Sequence, residues 1–216
     1  MGSAKASWWA LALLSATSFF NYLDRMVIAV LVEPMKRDLG LTDTQVGLVS
    51  GLAFALLYAS AGLPLARLAD RGVRVRLLAV CVAVWSLMTA LTGQVRSFLE
   101  LFLVRMGVGI GEAGCVPASH SLIADLFPPN ARALALGIFQ AGGLLGLTFG
   151  LALAGWLADT YGWRLALAVI GLAGLPLALL IALALPEPAR GGADGPPPSE
   201  SAVSYTHLTL PTIYSV

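Results

Sequence analysis

The stretch RMGVGIGEAG at residues 105–114 combines glycines with two charged residues, and this combination suits two kinds of chemistry. Its glycines have the G-x-G-x-x-G spacing with which a loop between a strand and a helix binds the pyrophosphate of a dinucleotide. Its charged residues, Arg105 and Glu112, are also the types that line a path for protons or for a charged solute. The secondary structure that contains the stretch decides between these two interpretations.

The composition is that of a membrane protein. The 216 residues are 58% hydrophobic and 12% charged, whereas a soluble domain has about 25% charged residues. Segments of about 20 apolar residues span a bilayer as helices, and the chain has six. They run over residues 8–32, 45–66, 77–95, 98–122, 133–158 and 165–185.

The glycine stretch therefore lies inside the fourth segment. It lacks the preceding strand and the acidic residue about 20 positions on that a dinucleotide site needs. The nearby Ser119 and His120 lack a carboxylate partner, which disfavours a hydrolytic site. The net charge of +1 gives no indication of nucleic-acid binding. We expect no enzymatic activity, no cofactor and no metal.

Four charged residues interrupt the apolar segments, namely Asp24 and Arg25 in the first and Arg105 and Glu112 in the fourth. Each costs about 2.5–3.5 kcal/mol at mid-bilayer on insertion scales, so such groups face a bundle interior or a wet cavity and pair with one another. Two interpretations stay open at this point. The charges form ion pairs that fix helix packing, or they form a proton or substrate pathway.

Helical periodicity places Arg105 and Glu112 on one face of the fourth segment. Asp24, Asn21 and Thr17 share a face of the first segment in the same way. Counted from the outer ends of the two segments, Asp24 and Arg105 lie at similar depth, so we predict that they can pair. Glu112 lies about 10 Å deeper. With no cation beside it in the sequence, Glu112 is the candidate for a carboxyl group that carries a proton near neutral pH.

Small residues follow a second face of the fourth segment and one face of the fifth. Small residues in this spacing allow another helix to approach closely. The predicted packing glycines are Gly107, Gly111, Gly114, Gly142, Gly146 and Gly150.

Basic residues predict the orientation, because loops on the cytoplasmic side carry more Lys and Arg. With the N-terminus inside, the outer loops carry Lys36, Arg37, Arg96 and Arg164. The inner loops carry more, namely Lys5, Arg67, Arg71, Arg74, Arg76, Arg132 and Arg190. We therefore expect an integral protein, in a bacterial inner membrane, with both termini in the cytoplasm.

A short repeat links the two halves of the chain. The tripeptide L-A-D ends at Asp70 in the loop between segments two and three, and again at Asp159 between segments five and six. Because these loops lie on opposite sides of the membrane, the two groups of three segments are predicted to be inverted copies. Secondary transporters commonly have this architecture, with the substrate site near mid-membrane.

Several motifs together resemble the N-terminal half of a major facilitator superfamily transporter of the spinster-like branch. They are NYLDR (21–25), ARLADRGVRVR (66–76), RMGVGIGEAG (105–114) and IADLFPPNARA (123–133). The resemblance implies an all-α fold in which six transmembrane helices, as two inverted three-helix repeats, form half of a twelve-helix transporter.

The resemblance also implies roles for individual residues. Asp24, with Arg25 beside it, matches a proton-linked position, and Glu112 matches a second acidic position in the same cavity. The loop motif, which implies a cytoplasmic gate, is carried by Asp70, Arg71, Arg74 and Arg76. Animal members of the branch are associated with lysophospholipids, sphingoid lipids and other amphiphiles.

We accordingly predict three regions: a six-helix domain (1–188), a Pro/Gly-rich cytoplasmic linker with nothing to bury (189–203) and a non-native tail (204–216). The predicted function is proton-coupled transport of a lipid-like or amphiphilic small organic solute by alternating access. Its partners are protons, the solute, the bilayer and a missing C-terminal six-helix half. A drug/proton antiporter is one alternative, although Leu151 stands where that class has a proline. A half-protein that serves as an assembly partner is the other.

Overall fold

The computed structural model describes residues 2–194, and the described residues are almost entirely helical. The predicted tail (204–216) and the part of the predicted linker beyond residue 194 lie outside the described residues. The helices are α1 (Gly2–Leu39), α2 (Asp43–Gly47), a π-helical turn (Leu48–Leu52), α3 (Ala53–Arg71), α4 (Arg74–Thr92), α5 (Phe98–Ala113), α6 (Cys115–Leu126), α7 (Pro129–Tyr161) and α8 (Trp163–Ala184).

These helices form six spans. The second span joins α2, the π-turn and α3, and the fourth joins α5 and α6 around Gly114. Among the described residues, four spans are long and apolar enough to cross a membrane by length and hydropathy alone: Asp43–Arg71, Arg74–Thr92, Pro129–Tyr161 and Trp163–Ala184. The other two, α1 and α5–α6, are the spans that carry the buried charges.

Helix α1 extends well beyond the predicted apolar segment. The first segment was predicted to end at residue 32, but α1 continues to Leu39 through the exposed Glu33 and Arg37. Charged residues end an apolar stretch without ending a helix, because in water their side chains are solvated and most of them favour the helical conformation. Gly40, with φ of 64°, ends α1 in the left-handed conformation that glycine adopts without strain.

Glycines of α7 allow it to lie against α1. A Cβ on Gly142 would stand 2.5 Å from the carbonyl oxygen of Ser15, and one on Gly146 would collide with the carbonyl oxygen of Phe19. Gly150 continues the same line one turn further along α1. The two backbones are therefore too close for a side chain at Gly142 and Gly146, and tight at Gly150.

Replacing Gly146 with alanine is expected to destabilise the chain by about 1–3 kcal/mol, the usual cost of overpacking. Thermal unfolding of the purified chain in detergent measures this change. Gly155→Ala on the same helix is the matched control, because nothing lies within 4 Å of its added Cβ. Alanine there should leave stability unchanged or raise it, by up to about 1 kcal/mol of helix propensity. Equal effects at both positions would contradict the close α1–α7 contact.

Three glycines of the fourth span, Gly107, Gly111 and Gly114, face α4. A Cβ on Gly111 would lie 2.7 Å from the backbone nitrogen of Trp85, and one on Gly114 would lie 2.5 Å from the Sγ atom of Cys81. Gly107 meets the same helix one turn earlier. The small-residue face of α5 thus packs inside the bundle and turns Arg105 and Glu112 toward α1 and α3.

An arginine at the start of α4 ties together one end of the bundle. Arg74 is 1% exposed. Its guanidinium forms ion pairs with Asp125 at the end of α6 and with Glu187 after α8, the latter at 2.7 Å. It also donates to the Ser121 hydroxyl at 3.1 Å and to the Pro188 carbonyl at 2.8 Å. We call this set the Arg74 clamp.

The segment that follows α8 is docked on the helix ends, although the sequence predicted a linker with nothing to bury. Glu187 accepts a hydrogen bond from the Val75 backbone nitrogen at 2.8 Å and so caps the N-terminus of α4. Arg190 donates to the carbonyls of Ala69 and Gly72, both at 2.8 Å. Polar contacts, which a hydropathy pattern does not detect, hold the segment in place.

A second arginine ties together the opposite end of the bundle, as Arg74 does at its own end. Arg164, at the start of α8, donates to Asp38 near the end of α1 at 2.6 Å and to the Val95 carbonyl after α4 at 2.7 Å. Its guanidinium also lies over the ring of Trp163, 4.2 Å from the centroid. We call this set the Arg164 clamp.

The two clamps correspond to each other under the predicted inverted repeat. Arg74 begins the third span and binds the end of the fourth and the segment after the sixth. Arg164 begins the sixth span and binds the end of the first and the segment after the third. Exchanging spans one to three with four to six converts one set of partners into the other, which supports the repeat independently of the L-A-D tripeptide.

The four residues of the predicted gate motif have different environments. Arg74 is buried in its clamp, whereas the side chains of Asp70, Arg71 and Arg76 are exposed and form no ion pair with another described residue. Arg74 thus holds the bundle together, and the other three side chains stand free at the same end.

Candidate functional site

The four charged residues inside the bundle lie together where α1 meets α5. Asp24, Arg105 and Glu112 are 3%, 4% and 0% exposed, and the Arg25 side chain is 27% exposed. Each carboxyl group interacts electrostatically with both guanidinium groups. Two positive and two negative groups therefore share one buried cluster.

The direct ion pair of the cluster joins Arg25 to Glu112. The Arg25 Nε atom donates to Glu112 Oε2 at 2.7 Å. The sequence predicted that Asp24 and Arg105 can pair, but no ion pair joins them among the described residues. Glu112 has no cation beside it in the sequence, and in the folded chain Arg25 reaches it from α1.

The length of α1 explains the difference. Depth was estimated from a helix end at residue 32, whereas α1 ends at Leu39. At 1.5 Å per residue, Asp24 lies about 22 Å from that end and Glu112 about 21 Å from the start of α5, so the two are level. Arg105 lies only about 10 Å from the start of α5, so it is not level with Asp24 and Glu112.

Asp24 is buried without a full set of partners. Its Oδ2 atom accepts no hydrogen bond from a described residue. The side chains of Thr89 on α4 and Glu112 on α5 are polar neighbours of the carboxyl group. Thr89, 1% exposed, was not predicted, because an isolated threonine in an apolar segment gives no signal of its position.

Arg105 has unused donors and lines a small pocket. Its Nε and Nη1 atoms have no hydrogen-bond partner among the described residues. A pocket of about 220 Å³ lies beside it, between α1, the π-turn and α3. Its lining residues are Arg25, Ile28, Ala29, Ser50, Phe54 and Arg105. Guanidinium groups bind carboxylate and phosphate with paired, charge-assisted hydrogen bonds, so this pocket suits an acidic group.

Aromatic rings from two helices surround Arg25. The ring centroids of Tyr58, Phe54 and Tyr22 lie 4.9, 5.2 and 5.5 Å from its Cζ atom. Sequence reasoning missed all three rings. Tyr22, three residues before Arg25, shares its face of α1, and Phe54 and Tyr58 are one turn apart on α3, but their contact with Arg25 depends on the packing of α3 against α1.

The remaining predicted residues of α1 lie toward its N-terminus and are fully buried. The Thr17 hydroxyl donates to the carbonyl oxygen of Leu13 in its own helix at 2.9 Å. The Nδ2 atom of Asn21 has no partner among the described residues. Asn21 thus offers a free donor one turn from Asp24, whereas Thr17 is satisfied within its helix.

The G-x-G-x-x-G spacing has a helical context. Gly109 and Gly111 lie inside α5, and Gly114 lies at its junction with α6. The described residues contain no group of three or more His, Cys, Asp or Glu side chains placed to hold a metal ion. The chemistry of the site is therefore that of carboxyl and guanidinium groups.

Comparison with known proteins decides the family. The family model described as Major Facilitator Superfamily matches residues 14–211. The chain belongs to the major facilitator superfamily. The predicted all-α fold, with six helices that fit half of a major facilitator transporter, is confirmed, and members of this superfamily are transporters.

Individual relatives of this major facilitator chain have different printed functions. It is 40% identical to an MFS-type efflux pump of Mycolicibacterium smegmatis, over 83% of the chain and 42% of the pump. It is 34% identical to a probable L-galactonate transporter of Escherichia coli, over 79% of the chain and 37% of that protein. Protein spinster of Drosophila melanogaster is 29% identical over 88% of the chain and 31% of its own length.

A solved structure shows the same resemblance. The bacterial homolog to the human lysosomal transporter Spinster, in an inward-facing and occupied conformation, superposes with a TM-score of 0.79 at 39% identity, over 86% of the chain and 46% of the homolog. The predicted resemblance to the spinster-like branch is confirmed. The chain spans less than half the length of these relatives.

Proposed function

We propose that this chain is the N-terminal half of a proton-coupled secondary transporter of a lipid-like or amphiphilic organic solute that carries an acidic group. The observation that carries the proposal is the buried set of Asp24, Glu112, Arg25 and Arg105, in which Arg105 has unpaired donors and lines a pocket. The six-helix domain (1–188) supplies one wall of the transport path, and a second six-helix half supplies the other. Both termini lie in the cytoplasm, and the membrane is a bacterial inner membrane.

Charge balance links the proton to the solute. With both carboxyl groups ionised, the two arginines are neutralised within the cluster. A proton on Asp24 or Glu112 leaves one positive charge in excess in a buried site, where electrostatic interactions are strong. That excess favours an acidic group at Arg105, so proton and solute bind together. Several relatives are named as transporters of acids, including L-galactonate and cis,cis-muconate.

Alternating access supplies the transport step. The exposed Asp70, Arg71 and Arg76 form a contact surface for the second half at the cytoplasmic gate, and Arg74 anchors that surface to the bundle. The alternative of ion pairs that only fix packing is disfavoured, because such pairs do not require free donors at Arg105 or a free oxygen at Asp24.

Proteoliposomes that contain the complete transporter, with this half and its second half, test the proposal. An inward proton gradient is expected to drive accumulation of a medium-chain alkyl phosphate, and an uncoupler should abolish it. The uncharged alcohol of the same chain length is the matched control and should not accumulate. Accumulation of galactonate alone would overturn the lipid-like substrate, and accumulation without a proton gradient would overturn the coupling.

A drug/proton antiporter is the second candidate, and the 40% identity to an efflux pump favours it. Expression of the complete transporter would then raise resistance to cationic drugs without any proton-driven alkyl phosphate uptake. The third candidate, a half-protein that assembles with another transporter, predicts no transport in either assay and stable association with a partner half.

A further inference from the structure

Two aromatic side chains of α3, Phe54 and Tyr58, contact Arg25, and their geometry gives them a role. Phe54 and Tyr58 are stacked on each other, with centroids 5.4 Å apart. Both rings lie within the distance of about 6 Å at which an arginine is attracted to an aromatic face. The Tyr58 side chain also interacts electrostatically with the guanidinium.

The span that carries these rings is the least anchored of the bundle. Among the described side chains of α3, Ala69 alone is buried. The π-turn Leu48–Leu52 precedes it, and such turns occur preferentially at functional sites. Segments with few buried contacts are the ones that move at low free-energy cost. The α3 span is therefore suited to move relative to α1 and α5.

Phe54 lies at a close approach of α3 to α5. A Cβ on Gly109 would lie 3.0 Å from the carbonyl oxygen of Phe54, so the two backbones are in close contact there. The Phe54 ring lies 5.6 Å from the Cζ atom of Arg105 as well. Phe54 of α3 thus contacts both arginines of the site.

We propose that Phe54 and Tyr58 are positioning residues that hold the Arg25 guanidinium on Glu112, so that movement of α3 opens the Arg25–Glu112 pair. This inference rests on the proposed function and assigns the link between the conformational change and proton exchange to one span. When α3 moves away, Arg25 loses two of its three rings and is free to leave Glu112. Glu112, a carboxylate while it is paired, then accepts a proton from the transport path and releases it before Arg25 returns. When α3 returns, the pair forms again.

A chemical measurement on the purified chain tests the positioning directly. Phenylglyoxal modifies accessible arginines, and peptide mass spectrometry gives the rate at each residue. Tyr58→Leu is expected to raise the rate at Arg25 roughly two- to fivefold, the effect of losing one such ring interaction. Tyr58→Phe, which retains the ring, should restore most of the protection. The rate at Arg96, far from the site, is the internal control, and Tyr161→Leu on α7 is the matched tyrosine variant.

A transport measurement then tests the coupling in the complete protein. Tyr58→Leu is expected to lower proton-driven accumulation severalfold while solute counterflow persists, and Tyr58→Phe should recover the accumulation. A folding defect would lower both activities together. Unchanged modification of Arg25 in Tyr58→Leu would overturn the positioning role whatever the transport result. Faster modification in a protein whose wild type shows no proton-driven uptake would contradict the proposed function and leave the positioning role intact.

Discussion

Glu112→Gln is expected to abolish proton-driven accumulation in the complete transporter while solute counterflow continues. Glutamine is nearly isosteric and its carbonyl oxygen still accepts the hydrogen bond from Arg25 Nε, so the fold is retained. It cannot bind or release a proton, and the loss of a positioned proton-transfer group costs roughly 10²-fold or more. Asp24→Asn removes the second carboxyl group of the cluster and is expected to have the same effect. Uptake into proteoliposomes under an imposed pH gradient, compared with counterflow at equal pH, measures both activities.

Glu33→Gln is the matched control, since Glu33 lies on α1 but pairs with Arg37 at the surface. Its side chain is 57% exposed, and uptake should be unchanged. Full accumulation in a variant that lacks both carboxyl groups of the cluster would exclude Asp24 and Glu112 from proton coupling. Loss of counterflow together with accumulation would instead indicate that the carboxyl groups bind the solute.

Arg74→Gln is expected to destabilise the chain by about 3 kcal/mol. Removing one partner of a buried ion pair leaves the other charge uncompensated and costs about 3–5 kcal/mol. The lower value applies because Glu187, one of the two carboxylate partners, is 31% exposed. The variant also frees the segment after α8, whose docking depends on Glu187 and Pro188. Thermal or urea unfolding of the purified chain in detergent gives the free-energy change.

Arg76→Gln provides the comparison, two residues further along α4. Arg76 is exposed and forms no ion pair with a described residue, so its replacement should change stability by no more than about 0.5 kcal/mol. Arg74→Lys keeps the charge but loses the planar guanidinium that donates to several acceptors at once. Its stability should lie between those of Arg74→Gln and Arg76→Gln. Equal stability of all three variants would show that the Arg74 clamp does not hold the bundle.

Apolar stretches of bilayer length in the sequence predicted the six spans, although only four described spans qualify by length and hydropathy alone. Hydropathy also pointed to the site, since charged residues inside such spans are costly and therefore conspicuous. Asp24, Arg25, Arg105 and Glu112 could be found in this way from the sequence alone. The packing glycines could be predicted from their spacing, because small residues on one helix face allow another helix to approach closely.

The pairing inside the site could not be predicted. Depth estimates depend on where each helix ends, and α1 continues for about a further 10 Å through residues that an apolar window excludes. The aromatic neighbours of Arg25 depend on how α3 lies against α1, which no local pattern encodes. The docked segment after α8 is held by single hydrogen bonds and ion pairs, and these leave no periodic signal in the sequence.

The two clamps differ most in their contact with solvent. Arg74 and Asp125 have side chains that are 1% and 11% exposed, whereas Arg164 and Asp38 are 42% and 48% exposed. Dissolved ions screen exposed charges over about 8 Å at physiological ionic strength but reach buried pairs far less. Rising salt therefore loosens the Arg164 end of the bundle and leaves the Arg74 end closed. The two ends of the bundle therefore differ in their sensitivity to ionic strength, and rising salt acts mainly on the Arg164 end.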